Sequence, residues 1–287
     1  MKTIENDAIQ VRFWGVRGSI PCPGSEYVKF GGNTSCVQVS IPDSEEFIIF
    51  DSGSGIRSLG EQLFQTGKHK KGFLFVSHAH WDHIQGFPFF RPIYTQETVL
   101  DIYFPKTREG DCKRALTTQL TPNHFPVTSE MLSASITYHD MVHNGMKHPV
   151  FSVDYHTAVH PVHTAIFRLK TGNKTIIFAP DNELQIKNPT NKRALNQFKS
   201  FLQNADVLIH DGNYDRNSYK GKISWGHSAW EDVVDIASEC GVKHLFLTHH
   251  DPLSTDEQML TRQELLDQHK HKFASVQFAK EGFMFSF

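Results

Sequence analysis

The chain has 287 residues, 39% hydrophobic and 21% charged, with 29 basic against 31 acidic side chains and a formal net charge of -2. These values exclude a disordered or fibrous chain and allow one large or two ordinary domains that fold without staples. They also weigh against a grip on long nucleic acid, whose affinity comes mainly from Lys and Arg on phosphates. The unusual count is 18 His. Imidazole is the commonest metal ligand and titrates near neutrality, so the excess points to metal or acid–base chemistry.

Short β-rich runs recur from the N-terminus onward, at residues 10–14, 36–41, 47–50, 73–77, 99–104, 134–139, 150–155, 165–169, 175–178, 207–209, 244–248 and 275–278. Several are wholly apolar, as strands buried on both faces are. Between them, Ile56, Leu59, Leu63 and Phe64 repeat at helical spacing, and so do Trp230, Val233, Val234, Ala237 and Cys240; a third helix is predicted over 256–269. Ser228-Ala-Trp-Glu231 reads as a capping box opening the second of these. Strands interspersed with helices, without linker or repeat, predict a single α/β domain over residues 1–287. Residues 91–148 have weak periodicity and cancelling charges and are expected to be an insertion of short helices and loops that covers a site. Phe87, Phe89, Phe90 and Phe125 are candidates for the pocket wall there, although a plain hydrophobic core accounts for the same residues better.

Cys22, Cys36, Cys112 and Cys240 form no CxxC pair and read as buried free thiols. The N-terminal residues carry no apolar run of the signal-peptide kind, and no stretch approaches the roughly 20 apolar residues of a spanning helix. The expectation is a cytoplasmic protein with no membrane partner; a homodimer is compatible with the sequence.

The strongest chemical signal is His78-Ala-His80-Trp-Asp82-His83, directly after the apolar run 73–77. On an extended strand end, positions i and i+2 point the same way, so His78 and His80 can converge on one cation. A turn into a following helix carries Asp82 and His83 towards a second. Four nitrogen and oxygen donors within six residues are hard to explain as packing.

In this motif the sequence resembles the metallo-β-lactamase superfamily, whose HxHxDH pattern is matched without a gap, and the similarity extends from Val11-Arg-Phe-Trp-Gly-Val-Arg-Gly-Ser19 to the last strand. It looks closest to the phosphodiesterase-like branch that includes tRNase Z. The resemblance implies an αββα sandwich with a helical and loop insertion and with metals at one edge. It also implies further ligands. His160, in His160-Pro-Val-His-Thr-Ala-Ile-Phe-Arg168, is the third ligand of the first metal, with His156 and His163 as local competitors. Ile166 stands where many relatives carry Gly, which bears on the loop's shape. Asp181, closing Ile176-Ile-Phe-Ala-Pro-Asp181, would bridge two cations through its two oxygens. After Leu245-Phe-Leu-Thr248 come two adjacent histidines, of which only one can face the site; the Thr-His pairing favours His249 over His250.

The implied set is therefore His78, His80 and His160 on one metal, Asp82, His83 and His249 on the other, and Asp181 shared. Imidazole and carboxylate donors suit two divalent ions, Zn first, with Mn or Fe also accepted. With no Cys at a ligand position, the β-lactamases that use a Cys ligand are disfavoured. The resemblance further implies a catalytic pair. Asp211, ending Val207-Leu-Ile-His-Asp211, would partner His227 of Gly226-His227-Ser228 to assist the leaving group, and the ligand Asp82 counts among the catalytic groups. A helix N-terminus beside His227 disfavours its cation, which a partner Asp restores, and attracts an anionic phosphate.

Arg17-Gly-Ser19 and Gly31-Gly-Asn33-Thr-Ser35 read as turn-forming segments, and Asp51-Ser-Gly-Ser-Gly55 as a helix cap that supports the metal loop. The leading expectation is a two-metal phosphodiesterase for a small phosphodiester such as a cyclic nucleotide. Lactone or thioester hydrolysis, which does not need the Asp211–His227 pair, and a non-catalytic metal-binding module are the alternatives.

Overall fold

The computed structural model describes residues 8–42, 44–106, 111–141 and 145–287. The first seven residues, read above for a leader, lie outside the described residues, as do 107–110 and 142–144 of the stretch 91–148. In chain order the strands are β1 (Gln10–Gly15), β2 (Cys36–Ser40), β3 (Phe47–Phe50), β4 (Lys71–Phe75), β5 (Val99–Pro105), β6 (Ser135–Met141), β7 (Met146–Lys147), β8 (Ser152–Thr157), β9 (Ala165–Thr171), β10 (Lys174–Ala179), β11 (Val207–Asp211), β12 (His244–Thr248), β13 (Ser275–Phe278) and β14 (Met284–Ser286). The α-helices are α1 (Ile56–Gln65), α2 (Trp81–Ile84), α3 (Cys112–Thr117), α4 (Lys192–Leu202), α5 (Arg216–Tyr219), α6 (Trp230–Glu239) and α7 (Asp256–Asp267).

Two seven-stranded sheets form, in the orders β14-β1-β2-β3-β4-β5-β6 and β13-β12-β11-β10-β9-β8-β7. In each, the outer strands of one side pair antiparallel, while β3 to β6 and β10 to β13 run parallel. The sheets face each other across one apolar layer. Phe50 of the first sheet lies 5.3 Å, centroid to centroid, from Phe178 of the second and 5.8 Å from Phe167. A second layer packs Leu202, Val233, Val234 and Met259 of the helices α4, α6 and α7 on the outer face of the second sheet. A third packs Ile56, Leu59 and Leu63 of α1 and Leu116 of α3 on the outer face of the first. The result is the expected αββα sandwich, and its apolar strand runs are buried on both faces because each sheet is covered twice.

Three local expectations change. The stretch 91–148 is more than loop cover, since β5 and β6 inside it extend the first sheet by parallel pairing. Phe87 and Phe90 are fully buried in the core behind α1, whereas Phe89 is exposed and packs edge-on against Phe125. The capping box at Ser228–Glu231 does not form. The Ser228 hydroxyl instead donates to the Asn182 carbonyl at 2.5 Å and accepts the Leu184 amide at 3.0 Å, while Glu231 accepts the Arg216 amide. Capping boxes occur at α5, through Asp215 and Ser218, and at α7, through Thr255 and Gln258. Helices α4 and α5 and strands β7 and β14 are additional to the elements expected.

Among the described residues, no helix is long and apolar enough to cross a membrane. All four cysteines are free and buried.

Candidate metal centre

Parallel strands in a sandwich bring their carboxyl ends to one edge, and polar residues that follow apolar strands collect there. Asp51 follows β3, His78 follows β4, Asp181 follows β10, Asp211 ends β11 and His249 follows β12. His80 is extended at φ -61°, ψ 145° and opens α2, which carries Asp82 and His83 inward. His160 comes from the turn between β8 and β9, and His227 from the segment before α6.

The structure brings every one of these residues to the same place. His78, His80, His160 and Asp181 form one group of donor atoms within 4.8 Å of one another, and Asp82, His83 and His249 form a second. Asp181 lies between them. Its Oδ2 is 3.6 Å from His78 Nε2 and 3.7 Å from His160 Nε2, and its Oδ1 is 3.2 Å from His83 Nε2 and 3.3 Å from His249 Nε2. Each carboxylate oxygen thus faces one group. His80 presents Nδ1, 3.2 Å from His160 Nε2.

Five of these side chains, His78, Asp82, His83, His160 and His249, are held by partners outside the cluster. Asp51 accepts from His83 Nδ1 at 2.6 Å and is itself held by the Ser77 amide and the Ser35 and Ser77 hydroxyls. His78 Nδ1 meets Ser77 Oγ at 3.1 Å, and His160 Nδ1 donates to the Gly226 carbonyl at 3.1 Å. Asp82 Oδ2 accepts the Ser19 amide at 2.6 Å. Asn213 contacts both Nδ1 and the carbonyl of His249, which adopts φ 59°. Partners of this kind fix the ring plane and leave the opposite nitrogen directed at the centre. Close backbone approach completes the support. A Cβ on Gly18 would lie 2.3 Å from the His249 ring, and one on Gly226 would lie 2.1 Å from His160 Nδ1.

His78 Nε2, His83 Nε2 and Asp181 Oδ1 are buried without a hydrogen-bond partner. Three such atoms, directed into the two adjoining groups, are costly unless something charged satisfies them. Titration agrees. Burial, with His83 next, pushes His78 well below its ordinary value, and burial lowers His80 and His160 as well. Burial acts against the His83 cation too, but Asp181, Asp82 and Asp51 outweigh it and raise that group well above the ordinary range. Asp82 and Asp181, despite burial, are held well below the carboxylate range, Asp82 first by His83 and Asp181 first by His249 and then His83. Ionised carboxylates beside neutral His78, His80 and His160 are what divalent cations require, and a bound cation would take the place of the proton that the carboxylates hold on His83. The donor set fits two such ions.

Beside this cluster His227 Nδ1 donates to Asp211 Oδ2 at 3.0 Å and stacks on His249 at 4.7 Å between centroids. Burial disfavours the His227 cation, yet Asp211 raises its pKa to about 9. Asp211 is held in turn by the amides of Asn213 and Ser228.

Of the competitors, His250 points away, bonded to the Ala279 carbonyl at 2.8 Å and pushed down to about 3 by burial. His156 stacks on Phe198 and Phe201, away from the cluster, and His163 lines a cavity next to His80. Asp51 supports His83 as expected but caps nothing, since α1 opens at Gly55 without a side-chain cap. Arg17 does more than form a turn. It is fully buried, donating to the carbonyls of Gly31, Asp251 and Ser254, and so ties the segment before Ser19 to the one after His249. Glu183 and Asn213 were not legible. Buried Glu183 accepts from Tyr219 Oη at 2.6 Å and from the amides of Ser224 and Gly226 at 2.8 and 3.0 Å. Its position two residues after Asp181 was the only available signal.

The sequence profile of the Beta-lactamase superfamily domain matches residues 47–250, which span the cluster from before Asp51 to after His249. A protein named Ribonuclease Z from Shouchella clausii is 27% identical over 219 residues, covering 61% of this chain and 68% of that protein. The metallo-beta-lactamase fold protein YhfI from Bacillus subtilis superposes with a TM-score of 0.70 at 22% identity, covering 98% of this chain and all of that one. A diphosphatase from the PhnP family superposes with a TM-score of 0.66 at 16% identity, covering 97% and 98%. At such identities the two solved structures speak for the fold alone.

Proposed function

Because the chain belongs to the metallo-β-lactamase superfamily, we propose that it is a two-metal phosphodiesterase whose substrate is a small phosphodiester, such as a cyclic nucleotide. His78, His80 and His160 would hold one cation, Asp82, His83 and His249 the other, and Asp181 both. Zn is the first expectation among divalent ions. When bound, the cations would supply Lewis acidity at phosphorus and make water a nucleophile at neutral pH.

The observation that carries the reading is the His227–Asp211 pair. Hydrolysis of a phosphodiester with an alkoxide leaving group needs a proton at the departing oxygen, and His227 holds one. With Nδ1 bonded to Asp211, the free Nε2 is the atom that delivers it. Asp211 keeps the imidazole protonated and oriented. Thioester cleavage, whose thiolate can leave without a proton, would give the pair no comparable task; a lactone also expels an alkoxide, so assay of a lactone panel is what separates that reading. Relatives named Ribonuclease Z make RNA the rival substrate, but 29 basic against 31 acidic side chains favour a small one.

His227→Ala should retain two cations per chain by metal analysis. It should lose about 10²–10⁴-fold in turnover of an alkyl phosphodiester, the usual worth of a general acid, and much less on a diester with a nitrophenyl leaving group. Equal losses on both substrates, or none on either, would remove His227 from the role.

A further inference from the structure

Next to the candidate centre a cavity of about 350 Å³ opens, with His80 in its inner wall and Trp81, Ile84, Phe104, Arg114 and Thr118 around it. That volume falls within the roughly 300–1,000 Å³ of small-molecule pockets. It is built by three elements together with Val162 and His163 of the turn between β8 and β9. Trp81 and Ile84 belong to α2, Phe104 to β5, and Arg114 to α3. Gln119, just after α3, donates to the Ile84 carbonyl at 3.0 Å and fixes one wall against the other. Trp81 stands between His80 and Asp82, yet its side chain is 80% exposed and has no hydrogen bond or ring contact among the described residues.

We infer that this cavity receives the base of a nucleotide substrate, with Trp81 as its stacking platform and with Arg114 and Thr118 as polar partners of the base's edges. The inference rests on the phosphodiesterase reading, which fixes the anionic end of the ligand at His80. From there the remaining part of the substrate meets an open indole face, a guanidinium and the Thr118 hydroxyl. A flat ring with polar edges satisfies all three. An aliphatic chain would fill the volume and leave Arg114 and Thr118 unmatched, and it would gain nothing specific from an aromatic face. Because every base has a π-face, the platform would tolerate several bases and discriminate against a ligand that has none.

The test compares a 3′,5′-cyclic nucleotide with the corresponding base-free ribose cyclic phosphate on the metal-loaded enzyme. The ratio of their kcat/KM values should be about tenfold or more in favour of the nucleotide, the order of one stacking contact. It should fall towards one in Trp81→Leu, and Trp81→Phe, which restores a π-face, should recover most of it. A binding arm is independent of turnover. A nucleoside 5′-monophosphate should quench Trp81 emission and bind at least tenfold more tightly than ribose 5-phosphate. Base-dependent binding without hydrolysis of any diester would sink the phosphodiesterase reading and leave the base cavity standing. Equal binding of the two monophosphates, or a ratio unchanged by Trp81→Leu at normal metal content, would overturn the cavity assignment alone.

Discussion

The two halves of the cluster are built differently. Asp82, His83 and His249 are buried on all sides and locked by Asp51, the Ser19 amide and Asn213. His80 is exposed, while the His160 ring is buried beside Asp181, and their group borders both His227 and the cavity beside Trp81. The buried half has the geometry of a fixed support. The open half is where a ligand can enter, and it is held by one carbonyl, that of Gly226, and one hydroxyl, that of Ser77. A site that must bind charge firmly and still admit substrate needs this asymmetry, because burial strengthens electrostatics and excludes ligands together.

The largest expected effect comes from the residue that joins the halves. Asp181→Asn replaces a carboxylate whose oxygens face both groups with a neutral amide. Affinity for both cations should fall by more than the roughly 10–100-fold of an outer-shell change, and metal analysis should find both positions depleted. Loss of one ion only would show that the halves bind independently.

Next in size is Asp211→Asn. His227 has its pKa raised from 6.5 to about 9, because Asp211 outweighs the burial that opposes its charge. A raised value means that the protonated imidazole stabilises the fold fully below about pH 6.5 and that this contribution is lost as pH rises through about 9. In the metal-free protein an NMR titration should place the His227 midpoint near 9, and Asp211→Asn should lower it. In the loaded enzyme the same variant should cost about 10²–10⁴-fold on alkyl diesters and shift the alkaline limb to lower pH. An unmoved limb would mean that His227 is not the group that limb reports.

Asp51→Ala addresses the buried half alone. Asp51 accepts from His83 Nδ1 at 2.6 Å and touches nothing in the open group except through Ser77. Loss of about 10–100-fold in affinity is expected for the second cation, with a smaller change in the first. Equal losses would mean that the contrast between the halves is one of exposure and not of support.

One motif made part of both halves legible in sequence. Asp82 and His83 sit with His78 and His80 in six consecutive residues, so local strand and turn geometry suffices to group them. Asp181, Asp211 and His249 stand where a polar residue next to an apolar strand is conspicuous, but their roles, and the choice of His249 over His250, came from the family resemblance. His160 is different. It lies in a turn with His156 and His163 close by, and only family resemblance separated it from them, because which ring reaches the centre depends on a contact with Gly226, 66 residues away. The Ser228 signature misled for a related reason. A Ser three residues before a Glu marks a cap only when no stronger partner takes the hydroxyl, and the carbonyl of Asn182, 46 residues distant, does so.

The smallest predicted effect is the most selective. Glu183 touches none of the candidate ligands, but its carboxylate gathers Tyr219, Ser224 and Gly226 into one turn, and the carbonyl of Gly226 then orients His160. Glu183→Gln keeps the volume and one acceptor oxygen, yet its amide nitrogen faces donors and cannot accept from them. The turn should loosen and His160 with it. Affinity for the cation of the open half should drop by about tenfold, the lower end of outer-shell effects, while the buried half keeps its own. Tyr219→Phe, which removes one of three hydrogen bonds, should do the same more weakly. Should Glu183→Gln weaken both cations equally, or lower thermal stability without touching either, Glu183 would be a brace for the sheet edge, and the open half would owe its orientation to Gly226 packing alone.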